Sequence, residues 1–267
     1  MKNMEIQLRN NTKIICGLLC YLVSFLSLTA KIVADENNEL ALNEITENIP
    51  QISHFSRAAK YAQLGYSASL KGQWHEARNG WEKAVEHLDL TDASDRNRAV
   101  FYYEFGHAAG ITCDFEIAEE FIEKSYLLEK QINGPYVLTL VEMFRLYFDQ
   151  KFYKMASIYF EAALPNLIAA NAEENTPARY TRLLDEYSDT LIQLGKHQLA
   201  NQMKQRSRKI RIRVGNISEQ DQRTLYGSNC GENGKKLPMT VAQTAFVSNR
   251  MSKIREILQT MNKLNSK

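Results

Sequence analysis

Along residues 58–214 apolar side chains recur at helical spacing, and the recurrence is locked to four alanines, Ala77, Ala118, Ala156 and Ala200. Twelve residues before each alanine stands Gly65, Gly106, Phe144 or Ser188, preceded by a large side chain, Leu64, Phe105, Met143 or Tyr187. Three before each alanine is Trp74, Phe115, Tyr153 or His197, and four after it Trp81, Ile122, Phe160 or Lys204. A period of roughly 34 residues with variable inserts predicts a stack of helical hairpins, each burying its apolar face only against its neighbours.

The first copy shows the logic. Tyr61, Leu64 and Gly65 precede Gly72, after which come Trp74, Ala77, Trp81 and Ala84. Two helices broken near Gly72 are predicted, because glycine accepts the left-handed backbone of a turn. Gly65 then lies inside a helix, where it costs about 1 kcal/mol against alanine. Close approach of the second helix offsets that cost, with Ala77 answering Gly65. His197 holds an aromatic place of the pattern and is expected to pack.

This pattern resembles the tetratricopeptide repeat family, with units at about 58–91, 99–132, 137–170 and 181–214 and inserts at 92–98, 133–136 and 171–180. The first unit fits well, and in the second Tyr102, Phe105, Gly106, Ala109, Phe115 and Ala118 match. The third departs at Phe144, where a small residue is usual, so its helices are expected further apart. The fourth carries Lys204 and Ser207 at usually apolar places, which suits a terminal repeat whose outer face meets solvent.

The resemblance implies an all-α solenoid of about four hairpins that binds ligands on a concave face made by the first helix of each hairpin. Candidates there are Tyr66 and Ser69, Tyr103 and His107, Arg145, Phe148 and Asp149, and Arg182, Asp185 and Asp189. Aromatics mixed with Arg and Asp suit an extended peptide or a helix. Family members that clamp a peptide's terminal carboxylate use a Lys and Asn set. The comparable places here carry Ala62, Tyr66, Tyr103, His107, Val141 and Arg145, so that clamp is not expected.

Both ends differ from the repeats. Lys2, Arg9 and Lys13 precede an uncharged apolar run from Ile14 to Ala30, with small residues at Ala30 and Ala34 and acidic sequence from Asp35. Residues 1–34 therefore read as a secretory signal peptide or an uncleaved N-terminal anchor, and 35–57 as an extension. Residues 215–238 are rich in Asn, Gly and Ser and read as a loop or linker. In 239–267, Val247, Met251, Ile254, Leu258 and Met261 share one helical face. A capping helix over the last repeat is the expectation; a dimer-pairing or membrane-surface helix is the alternative.

Charge changes little in this picture. Removing residues 1–34 takes four basic residues and one acid from totals of 33 and 31, leaving 29 against 30 and a net charge of −1. No nucleic-acid field is implied. One run, Lys204, Arg206, Arg208, Lys209, Arg211 and Arg213, contains no acid. It reads as an anion patch or as a solvated face near a helix C-terminus. Cys113 and Cys230 remain after export, and an even pair in an oxidising compartment invites a disulfide; two separate thiols are the alternative.

The sequence holds no phosphate loop, no His-Glu-x-x-His and no Gly-x-Ser-x-Gly. None of His54, His75, His87, His107 and His197 stands three or four residues from another. Neither enzyme activity nor a cofactor or metal is expected. The expectation is an exported scaffold or adaptor in the cell envelope or periplasm, with a protein or peptide partner on the concave face. Membrane contact would come only through an uncleaved N-terminus, and oligomerisation through the last helix. The alternative is a module for a small ligand or an anionic cell-wall polymer.

Overall fold

A left-handed residue at a fixed place in every repeat sets the hairpins. In the computed structural model, which describes residues 53–215 and 223–231, positive φ occurs at Gly72 (71°), Cys113 (75°), Lys151 (66°) and Gly195 (73°). Each stands five residues before one of the four alanines. Across each turn a backbone N–H closes back five residues, from Gln73 to Ala68, Asp114 to Ala109, Phe152 to Tyr147 and Lys196 to Leu191, at 2.8–2.9 Å. This turn geometry satisfies the carbonyls that end the first helix and starts the second one antiparallel to it.

The helices are α1 (His54–Leu70) and α2 (Trp74–Leu88), α3 (Asp95–Ile111) and α4 (Phe115–Gln131), α5 (Val137–Asp149) and α6 (Tyr153–Ala169), a single turn α7 (Ala172–Asn175), then α8 (Pro177–Gln193) and α9 (His197–Val214). The Ser94 hydroxyl caps α3 by accepting from the Asn97 N–H, and Pro177 opens α8, where its missing N–H costs nothing. Each first helix packs on its own second helix. The stack continues through α2 on α3, α4 on α5 and α6 on α8. The described residues contain helices and no strands, and none of these helices is long and apolar enough to cross a membrane.

Close approach holds each hairpin together. A Cβ on Gly80 would lie 2.7 Å from the Gly65 Cα, and one on Gly65 would lie 3.0 Å from the Trp81 backbone nitrogen. Gly80 and Trp81 thus meet Gly65 directly. In the second hairpin a Cβ on Gly106 would stand 3.0 Å from the Ala118 carbonyl oxygen. Ser188 turns the same approach into a hydrogen bond, its hydroxyl donating to the Ala200 carbonyl at 2.9 Å. At Phe144 a buried ring replaces the small residue and meets Phe160 edge-on, with centroids 5.5 Å apart.

Two expectations are corrected. Ser207 does not face solvent; it is fully buried and donates to the Thr181 carbonyl at 3.2 Å. Ser125, at the same repeat position, donates to the Ala99 carbonyl at 2.7 Å. The serine is an internal tie between the two helices of a hairpin, and Ala84 and Ala163 fill that place in the others. His197 is exposed. Its counterpart Trp74 packs edge-on against His107 of the next hairpin, 5.7 Å between centroids. No further hairpin follows His197 among the described residues, so none of them offers its ring the partner that His107 offers Trp74. Residues 1–52, including the signal or anchor, and the 239–267 helix lie outside the described residues.

Lysine at the third turn carries a backbone penalty that glycine would not. Lys151→Gly is expected to raise the unfolding free energy by about 1 kcal/mol, read as a higher midpoint in thermal circular dichroism. Gly80→Ala is expected to lower it by about 2–3 kcal/mol, because the new methyl meets backbone.

Candidate functional site

Glutamate recurs at one place on the first helices: Glu104 of α3, Glu142 of α5 and Glu186 of α8 each stand fourteen residues before their repeat's alanine. Stacking aligns these positions into a column along one face. Asp149 lies two turns beyond Glu142 on the same helix. Carboxylates sharing a poorly solvated groove need donors, and for Glu142, Asp149 and Glu186 the structure supplies them from two directions.

Arg145 is the donor within the repeats. Its guanidinium meets the Glu186 carboxylate at 3.1 Å and the Glu142 carboxylate at 3.4 Å. The second source is the segment 223–231, which sequence composition describes as linker. It lies across α8, α5 and α3 in that order. Arg223 forks onto Asp149 with contacts of 2.6 and 2.7 Å and bonds Glu186 at 2.7 Å. The Tyr226 backbone N–H donates to Asp149 at 2.8 Å, and its phenol donates to Glu142 at 2.8 Å. The ring is 2% exposed and stands edge-on to His107 at 5.6 Å. A Cβ on Gly110 would come within 2.5 Å of that ring, so the small residue on α3 is what admits Tyr226.

Backbone bonds continue the seating. The Gly227 N–H donates to the Gly110 carbonyl at 2.9 Å, and the Asn229 N–H to the Ile111 carbonyl at 3.0 Å. These are carbonyls of the last turn of α3, of which that of Gly110 also accepts the Cys113 N–H at 3.2 Å. The segment ends at a disulfide between Cys230 and Cys113 in the α3–α4 turn, with Cα atoms 5.1 Å apart.

The electrostatics follow this arrangement. Burial alone would raise the Glu142 pKa, but Arg145, His107, the Tyr226 phenol and Arg223 together hold it below the usual carboxylate range. Burial, with the nearby Glu142 charge, pushes Tyr226 well above an ordinary phenol. Burial lowers His107, with Arg145 and Arg223 adding to the effect against Glu142, so the imidazole is neutral near pH 7. Glu104 is pushed up to about 7, first by burial and then by Glu142.

The groove residues named from sequence divide. Tyr103 stacks loosely on His107 at 6.2 Å, and His107, Arg145 and Asp149 form the cluster around Tyr226 and Arg223. Phe148 stacks on Phe144 at 5.7 Å and meets Tyr153 edge-on. Ser69 donates back to the Gly65 carbonyl. Tyr66 and Asp189 are exposed, and Arg182 is half-buried on α8. Asp185 pairs with Lys204 and Arg211 of α9 at 3.2 and 2.6 Å, so its charge is spent across its own hairpin. Glu104, Glu142, Glu186, Arg223 and Tyr226 escaped the sequence reading. The glutamates carried a signal, their shared repeat position.

The cation run is largely tied down. Besides Lys204 and Arg211, Arg206 and Arg213 pair with Glu173 at 2.9 Å each, while Arg208 and Lys209 are exposed. No group of three metal-ligating side chains occurs among the described residues.

No protein-family model and no curated protein matches the chain. Among solved structures it is similar to BtubC (BKLC) from P. vanneervenii, with 15% identity and a TM-score of 0.58, over 82% of this chain and 95% of that one. It is similar also to a Podosopora anserina putative kinesin light chain with nearly identical TPR-like repeats, with 17% identity and a TM-score of 0.53, over 80% of this chain and 98% of that one. The fold is a tetratricopeptide-like solenoid. The seated segment thus runs along the first helices of three successive repeats of the solenoid.

Two substitutions test this electrostatic picture. Tyr226→Phe leaves the buried Glu142 one donor short and is expected to cost about 1.5–3 kcal/mol in urea unfolding under oxidising conditions. Glu104 binds its proton more tightly folded than unfolded, so its penalty appears as pH rises past 4.5 and is complete above about 7. Glu104→Gln should therefore raise the unfolding free energy at pH 8 by about 2 kcal/mol, with the gain fading toward pH 4.5.

Proposed function

We propose that this protein is an exported scaffold or adaptor of the cell envelope that holds a protein segment on the inner face of its solenoid. The observation that carries the reading is the occupied groove. Three successive first helices offer a guanidinium seat, a phenol seat and two end-of-helix carbonyls, and an extended polypeptide bonds all of them. That is recognition of peptide by side-chain anchors and backbone bonds together. The basic and apolar N-terminus supports export, and a cysteine pair bridged between a repeat turn and the tail suits an oxidising compartment. The paired state of four of the six cations in the 204–213 run leaves little free charge for an anionic polymer.

Site-specific photo-crosslinking in cells tests this reading. A photoreactive amino acid at Tyr66 or Asp189, both exposed on first helices, is expected to capture a discrete protein, while one at Arg208 on α9 does not. Equal capture from both faces, or none from the inner one, would overturn the assignment. Intact mass of the purified chain reads export, since loss of the first 30 or 34 residues is expected.

A further inference from the structure

We infer that residues 223–231 are an internal occupant of the groove, standing where a partner segment of the same chemistry docks. That chemistry is an extended strand presenting an arginine and, three residues on, a tyrosine. This inference rests on the scaffold reading above and specifies the partner.

Three observations carry it. First, nothing in the seat requires the occupant to be the same chain. Arg223 is held by a fork on Asp149 and a bond to Glu186, Tyr226 by its phenol on Glu142 and its ring on His107, and the backbone by the Gly110 and Ile111 carbonyls. A segment from another protein could make each of these bonds, and only the disulfide is private to the tail.

Second, the charge balance selects the occupant. With the segment lifted away, Glu104, Glu142, Asp149 and Glu186 share the groove with Arg145, and Arg179 lies near Tyr103. The excess is acidic, and a buried carboxylate without donors is costly. A planar guanidinium answers Asp149 and Glu186 together, as lysine could not.

Third, the tether explains how the occupant stays and how it leaves. A segment joined to its own groove at both ends competes at an effective concentration in the millimolar range, so a free partner of equal affinity is excluded. Thiol–disulfide exchange with an external dithiol, which leaves as its own disulfide while Cys113 and Cys230 both become thiols, frees one end and lets mass action favour an abundant partner.

The test uses a fluorescein-labelled synthetic peptide covering residues 222–232 with Cys230→Ser. Its anisotropy is followed against the mature chain. Oxidised wild-type chain is expected to bind at least thirtyfold more weakly than a chain carrying Arg223→Ala, Tyr226→Ala, Cys113→Ser and Cys230→Ser, whose groove is vacated. A peptide with Arg223→Ala should lose at least tenfold in affinity for the vacated groove. A folded vacated chain that ignores the peptide would overturn the inference, as would wild-type chain that binds it equally well. Should the fourfold variant fail to fold, hydrogen exchange on reduced wild-type chain replaces it. Excess peptide is then expected to speed exchange at the Gly227 and Asn229 amides, and unchanged exchange would overturn the inference. A disulfide found between two chains would overturn it in favour of an exchanged tail. If the peptide fails while crosslinks from Tyr66 and Asp189 persist, the scaffold reading stands and only the partner's chemistry falls.

Discussion

A carboxylate withdrawn from water must be answered by donors, and this solenoid withdraws several in one column. Glu142 is the extreme case: its environment opposes ionisation by burial and favours it through Arg145, His107, Tyr226 and Arg223. Two of those four belong to a segment more than seventy residues away in sequence. The order of the segment and the ionisation of the groove are therefore one property. Removing a donor from the tail moves the Glu142 pKa upward, and protonating Glu142 loosens the tail.

The repeats were legible because their physics is local and periodic. The place of Gly65 required a close neighbour, and Gly80 and Trp81 meet it directly. Ser207 misled because a hydroxyl at an apolar place looks solvent-facing, whereas a carbonyl of the adjacent helix was waiting for it. The glutamate column was equally periodic and could have been found from register, but charged residues on a solenoid face resemble ordinary solvation. Nothing in the stretch around Arg223 and Tyr226 announces burial. Its composition is that of a loop, its anchors lie on helices distant in sequence, and its seat exists only once three hairpins are stacked.

The cysteines show the same division. Their even number suggested a bond, yet Cys113 also holds the left-handed turn position that glycine holds in the first and last hairpins. A non-glycine residue there works against the backbone. The second turn gives up the easier residue and gains a sulfur at the rim of the groove.

That clasp also changes how the array comes apart. A solenoid whose units touch only their neighbours frays from either end, one hairpin at a time. Here the tail spans the second, third and fourth hairpins and closes on the second, turning three links of an open chain into a ring. The first hairpin lies outside that ring, joined to the second by its packing and by the Arg78–Asp114 ion pair at 2.7 Å. Heat or denaturant should thus find an intermediate in which α1 and α2 have melted while the ring persists, and reduction should erase the distinction between the two ends.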